Sequence, residues 1–143
     1  MNVKTILAAK SGDIVTIEPT ADLATAAKLL NTHRIGAVLI QGAGGRIAGI
    51  LSERDIVRAL AEHGADALAI QVAQVMTRNV ATCGEDDSVA SIMERMTEGK
   101  FRHMPVVTKG KLVGLISIGD VVKYRVGEVE SESKAMREYI QTA

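Results

Sequence analysis

The sequence predicts an α+β protein made of two pseudo-symmetric β-α-β-β-α units that pack through their sheets. The first observation is a repeat, because residues 49–55, GILSERD, return as GLISIGD at residues 114–120. The second is the order of apolar patterns, in which strand-like and helix-like segments alternate in the same way in both copies. The third is the length of 143 residues. One copy of about 60 residues would be marginal alone, whereas two copies can bury a sizeable core.

Each copy opens with a short β-prone segment, at residues 14–18 and 80–83. Four apolar residues at i, i+3, i+4 and i+7 then predict an amphipathic helix that begins after Asp22 in the first copy and after Ser88 in the second. Two apolar strands follow, at residues 37–40 and 47–51 and again at 104–107 and 112–116. A second helix is expected over residues 53–63 and 119–126, with Gly64 and Gly127 as C-terminal stops.

These elements divide the chain into three predicted parts. Residues 1–67 form the first unit with an N-terminal helix, residues 68–127 form the second unit, and residues 128–143 form a helical tail. Residues 65–78 serve as the connector. The tail is polar except for a sparse apolar stripe of Val129, Met136, Tyr139 and Ile140.

The composition argues against several classes of function. Seventeen basic and seventeen acidic residues give a net charge of zero, and only three residues are aromatic, so neither nucleic acid nor a membrane surface is an expected partner. The single cysteine, Cys83, is expected to be a small buried strand residue, and His33, His63 and His103 are too scattered to suggest a metal site. No apolar run suits a signal peptide or a bilayer span, so we expect a soluble, cytoplasmic protein.

The repeated corner Gly-h-h-Ser-x-x-Asp, where h is apolar, carries the chemistry. Ser52 and Ser117 are placed where a strand ends and a helix begins, so each hydroxyl can cap the helix or donate to a phosphate. Asp55 and Asp120 follow one turn later, and a carboxylate can accept both hydroxyls of a ribose. A single Ser-x-x-Asp could simply be a capping box, but two copies at matching positions favour nucleotide binding. No recurrent histidine accompanies the serines as a base, so an enzyme is not expected.

This pattern resembles a tandem pair of cystathionine-β-synthase (CBS) domains, also called a Bateman module. The resemblance covers residues 3–127 and includes Arg34-Ile35-Gly36-Ala37 and Phe101-Arg102-His103-Met104-Pro105 before and within the middle strands. It implies a non-catalytic regulatory module whose cleft between the units takes AMP, ADP, ATP, NAD(H) or S-adenosylmethionine, with AMP as the first expectation.

The resemblance also implies roles for particular residues. Asp55 and Asp120 would hold ribose, and Ser52 and Ser117 would contact phosphate. The other residues expected around the nucleotide are Val15, Arg34, Ile35, Gly36, Ala37, Arg54, Thr77, Asn79, Val80, Phe101, Arg102, His103, Met104 and Pro105, together with Asp13 at the start of the first strand.

The two copies differ in charge, because Lys100, Arg102 and His103 precede the second middle strand. We expect the second site to favour a di- or polyphosphate. The family also implies a homodimer that signals energy or redox state to an effector protein not named by the sequence. The alternative is a structural dimerisation or adaptor module whose Ser-x-x-Asp corners only cap helices.

Overall fold

The N-terminal helix, α1 (Val3–Ala9), belongs to the same compact unit as the second repeat. In the computed structural model, which describes residues 1–10 and 14–142, residues 14–80 form the first-repeat unit. Residues 1–10 and 81–142 form the second-repeat unit. The boundary between the two units therefore lies between residues 80 and 81, not between residues 67 and 68 as expected, and α1 is not part of the first unit. Its physical reason is that the start of α1 is bonded to the second repeat, through Val3 N to Asp87 O at 2.9 Å and Lys4 N to Glu85 O at 2.9 Å.

The first-repeat unit contains a three-stranded sheet of β1 (Thr16–Ile17), β2 (Ala37–Gln41) and β3 (Ile47–Ser52). Strand β2 is central, parallel to β1 and antiparallel to β3. The helices are α2 (Leu23–His33), α3 (Glu53–His63) and the short α4 (Val72–Val75), with a 3-10 helix at Gly64–Ala69.

The apolar spacing of α2 produces the buried face that the sequence predicts. Leu23, Ala26 and Leu30 are buried against the sheet, and Asp22 caps the helix by accepting from Thr25 N at 2.9 Å. Gly64 ends α3 with a φ of 65°, a conformation that favours glycine, so its prediction as a stop is confirmed.

The second-repeat unit contains α5 (Val89–Gly99), the antiparallel pair β4 (His103–Thr108) and β5 (Lys111–Ser117), and α6 (Ile118–Thr142). The strand predicted over residues 80–83 is wrong in extent, because only Cys83 pairs, as a single bridge with Val106. Cys83 is buried as expected, and burial raises the pKa of its thiol to about 11.

The prediction that Gly127 ends a helix is wrong, since α6 continues through it to Thr142. Gly127 is not among the residues with positive φ. A glycine inside a helix costs only about 1 kcal/mol relative to alanine, which the good helix formers around it can offset. The predicted tail is therefore the second half of α6. Within the described ranges, no helix is both long enough and apolar enough to cross a bilayer.

Candidate functional site

The first Ser-x-x-Asp corner joins β3 to α3 through reciprocal hydrogen bonds. Ser52 is the N-cap of α3, and its Oγ accepts from Asp55 N at 3.4 Å. Asp55 Oδ2 accepts in return from Ser52 N at 2.8 Å and from the Ser52 hydroxyl at 3.1 Å. Asp55 is only 7% exposed. The corner is thus a complete capping box that holds the Asp55 carboxylate at the N-terminus of α3.

The second corner, between β5 and α6, repeats this geometry. Asp120 Oδ2 accepts from Ser117 N at 3.0 Å, and Ser117 Oγ accepts from Asp120 N at 3.2 Å. The sequence repeat therefore corresponds to a structural one.

In each unit the start of the middle strand lies beside the corner. Ala37 is opposite Ser52 in the first sheet, and His103 is opposite Ser117 in the second. The segments predicted to flank the nucleotide are thus next to the serine in both units.

A matching backbone hydrogen bond also fixes the first residue of each following helix. Glu53 N donates to Gly36 O at 3.0 Å, and Ile118 N donates to Arg102 O at 2.8 Å. The preceding residues that end α2 and α5, Arg34 and Lys100, both adopt left-handed conformations with φ of 53° and 57°. Equivalent cations therefore stand at the same place in the two repeats.

The glycine that opens each motif is closely packed, against backbone at Gly49 and against a side chain at Gly114. A Cβ on Gly49 would lie 2.7 Å from Met76 Sδ and 2.7 Å from Thr77 O, and Thr77 is bridged to Ile50 of β3. A Cβ on Gly114 would lie 2.5 Å from Leu7 Cδ2 of α1. Helix α1 thus takes, beside β5, the place that the Met76–Thr77 segment takes beside β3.

Lys10 is the C-cap of α1, and this packing brings it to the second corner. Its Nζ donates to Asp120 Oδ2 at 2.9 Å and to Leu115 O at 2.9 Å. Burial opposes ionisation of Asp120, but the hydrogen bond from Ser117 N and the Lys10 ammonium together lower the pKa of this carboxyl below its ordinary value.

The first corner has a different cation. Arg58 contacts Asp55 Oδ1 at 3.4 Å from the same helix, and its side chain is two-thirds exposed. Sequence reasoning missed both Lys10 and Arg58. The i, i+3 spacing of Asp55 and Arg58 could have predicted the ion pair at the first corner. Lys10 is 105 residues from Leu115 in sequence, so no local pattern predicts its contacts at the second corner.

The remaining residues expected around the nucleotide fall into three groups by exposure. Arg34, Arg54, Thr77, Asn79 and Arg102 are exposed; Val15, Ile35, Gly36, Val80, Phe101 and His103 are half-buried; Ala37, Met104 and Pro105 are buried in the strands. Buried strand residues could contact a ligand mainly through the backbone. Asp13 lies outside the described residues.

One cavity of the first-repeat unit adjoins this region. It has a volume of about 560 Å³ and lies against α2, the turn that follows it, and the start of α3. Its lining is formed by Ala27, Leu30, Asn31, Arg34, Ile35, Gly36, Glu53, Ile56 and Val57. Within residues 1–10 and 14–142, no group of three His, Cys, Asp or Glu side chains is arranged to hold a metal ion.

Two repeats that share the order helix, strand, strand, helix and have matching Ser-x-x-Asp corners define a tandem domain protein with one candidate ligand corner in each repeat. The family model described as "CBS domain" matches residues 3–62 and again residues 72–127. The chain therefore belongs to the CBS-domain family, as a pair of CBS domains.

Solved structures support the same fold. The CBS-domain containing protein ATU1752 from Agrobacterium tumefaciens is 46% identical, with a TM-score of 0.84, and the match covers 87% of this chain and 92% of that one. The CBS domain pair of protein MJ0100, solved in complex with 5-methylthioadenosine and S-adenosyl-L-methionine, is 29% identical with a TM-score of 0.79. That match covers 90% of this chain and 98% of the other.

Among curated proteins, the mitochondrial CBS domain-containing protein CBSX3 of Arabidopsis thaliana is 32% identical over 120 residues, or 81% of this chain. A 17.7 kDa protein of Acidianus ambivalens is 32% identical over 111 residues, or 77% of this chain. The chain spans 58% of the Arabidopsis relative's length and 66% of the Acidianus relative's.

Proposed function

We propose that this chain is a non-catalytic regulatory module that binds an adenosine nucleotide at its Ser-x-x-Asp corners. AMP is the first candidate, with ADP, ATP and NAD(H) as the other members of the class. The observation that carries the proposal is the matching geometry of the two corners, in which a serine and an aspartate are held together at the start of a helix.

The aspartates suit the recognition of a ribose. In each aspartate, Oδ2 accepts the hydrogen bonds of the capping box. The other carboxylate oxygen and the remaining lone pairs can accept hydrogen bonds from the two hydroxyls of a ribose. In the first corner Arg58 approaches the other oxygen, Oδ1, with an exposed and therefore displaceable side chain. Hydrogen bonds to a charged acceptor are worth about 1.5–3 kcal/mol each, enough to select a diol.

The cations suit the recognition of phosphate. Arg34 and Arg54 are exposed near the first corner, and Lys100 and Arg102 are exposed near the second. Lys10 adds a further ammonium at the second corner. Because Lys100 and Arg102 precede β4 and His103 is its first residue, we propose that the second corner prefers the ligand with more phosphate groups.

The MJ0100 relative supports an adenosine ligand in particular. That CBS domain pair was solved with two adenosine-containing molecules, 5-methylthioadenosine and S-adenosyl-L-methionine. Both carry the ribose and adenine that the proposed site would bind, although neither carries a phosphate.

The experiment is isothermal titration with AMP, ATP, NADH and adenosine after co-purified nucleotide has been removed. Asp55→Asn and Asp120→Asn keep the size of the side chain but remove its charge, and each is expected to weaken binding at its own corner about tenfold or more. Asp22→Asn is the matched control, because it removes an aspartate from another helix N-terminus and should leave binding unchanged.

A second candidate is favoured by the completeness of the capping boxes. If neither Asp55→Asn nor Asp120→Asn changes binding, or if no adenosine compound binds, the corners only cap helices. The chain is then a structural dimerisation or adaptor module. We also propose a homodimer and an effector protein as partners, since a regulatory module must pass its ligand state to something else.

A further inference from the structure

The second half of α6 is a helix without the burial that usually stabilises one. Every residue from Val129 to Gln141 is exposed, although the helix is continuous from Ile118 to Thr142. An isolated helical segment of this length is marginal in water even with good helix formers. A packing partner for this segment would account for its order.

An apolar stripe runs along α6 with the spacing of a coiled coil. The stripe consists of Val122, Val126, Val129, Ser133, Met136 and Ile140, which follow one another at intervals of four and three residues. This is the alternation of a and d positions in a heptad, in which residues 126, 133 and 140 occupy a. The five apolar side chains of the stripe are between 40% and 66% exposed.

The unit's own core uses the opposite face of the helix. Val121 is fully buried and Tyr124 packs against the same apolar cluster, while Glu128 contacts the N-terminal amine. These three residues occupy the c and f positions, which point away from an a/d stripe. The stripe is therefore left available on the outer side of the helix.

We propose that α6 forms a parallel two-stranded coiled coil with α6 of a second copy of this chain, an inference that rests on the homodimer proposed above. The charges beside the stripe select this partner and direction. In a parallel pair, Arg125 faces Glu130 of the second copy, and Glu132 faces Arg137 of the second copy, so all four contacts join opposite charges. An antiparallel pair that matches the same apolar layers would place Glu132 against itself.

The serine at position 133 fits the same arrangement. A polar residue at a single a position lowers stability but fixes register, because it is best placed opposite its own copy. In the parallel pair Ser133 meets Ser133, and every other layer of the stripe is apolar on both sides.

The first experiment compares adjacent substitutions in the full chain by sedimentation equilibrium over a range of protein concentrations. Met136→Lys places an ammonium in the proposed interface and should raise the dimer dissociation constant at least about tenfold. Ala135→Lys makes the same change in charge at a c position and should leave it unchanged. If Met136→Lys dimerises like the wild type, the inference fails while the homodimer stands; a monomeric wild type overturns both.

The second experiment tests the direction. Glu132→Arg and Arg137→Glu, each alone, put like charges together in a parallel pair and should weaken the dimer severalfold, whereas the double variant should restore it. In the antiparallel pair Arg137 faces Lys123 of the second copy instead, so Arg137→Glu alone would strengthen the dimer rather than weaken it. That result would overturn the parallel arrangement.

Discussion

The ion pair between Lys10 and Asp120 makes the sharpest prediction about the candidate site. The Nζ–Oδ2 distance is 2.9 Å, and the two side chains are 42% and 26% exposed. Fully exposed pairs contribute about 0.2–1 kcal/mol, and hydrogen bonds to charged groups contribute about 1.5–3 kcal/mol. For this half-exposed pair we expect Lys10→Ala to lower the free energy of unfolding by about 1–1.5 kcal/mol, or about 2–6 °C in melting temperature.

The pH dependence of this loss follows from the pKa of Asp120. Folding lowers that pKa below its reference value of 3.8, so the stabilisation is fully present above pH 3.8 and disappears as the pH falls through the folded-state pKa. Thermal unfolding of wild type and Lys10→Ala should therefore differ at neutral pH and converge in acid. Lys4→Ala, an exposed lysine of the same helix, is the control.

The same Lys10→Ala substitution should strengthen ligand binding although it weakens the fold. Lys10 occupies the carboxylate that would accept a ribose, so its removal spares an uncharged nucleoside the cost of displacing it. Lys10→Ala should bind adenosine about fivefold more tightly at the second corner, which corresponds to about 1 kcal/mol in a titration.

Equal melting temperatures of wild type and Lys10→Ala at neutral pH, or a convergence in acid that Lys4→Ala shows equally, would refute the ion pair as a feature of the protein in solution.

Two glycine substitutions and the reactivity of one cysteine test the packing. Gly49→Ala should destabilise the protein by about 1–3 kcal/mol in chemical denaturation, because the new methyl group would overlap the backbone oxygen of Thr77 as well as the Met76 side chain. Gly127→Ala should stabilise it by about 0.5–1 kcal/mol, since nothing lies within 4 Å of the added Cβ and the helix continues on both sides; a loss of stability would contradict the continuous α6. Cys83, buried and with a pKa of about 11, should react with a thiol reagent only after denaturation, and rapid labelling of the native protein would contradict its placement.

The repeat and the local caps are what the sequence could predict well. The second helix of the first copy begins at Glu53 and ends at His63 as expected, because Ser52 and Gly64 mark its ends by local chemistry. Asp22 and Ser88 are likewise the N-caps of α2 and α5. Signals that act within a few residues can be recognised without knowing the tertiary fold.

The features that the sequence could not predict depend on distant contacts. The strand expected at residues 80–83 is reduced to Cys83 because the backbone there pairs with β4 at one residue only. The helix was expected to end at Gly127, but glycine stops a helix only where its backbone turns to positive φ. Lys10 reaches Asp120 through the packing of Leu7 on Gly114, which no local pattern records.

The grouping of α1 with the second repeat has a consequence for how the protein is made. The first-repeat unit is inserted, as a continuous segment, between α1 and the rest of the other unit. During synthesis from the N-terminus, residues 14–80 emerge together with all their partners within the unit, whereas α1 must wait for β5, whose contacts with it span 105 residues in the case of Lys10 and Leu115. The long closure makes the second-repeat unit the slower one to form, since non-local contacts slow folding.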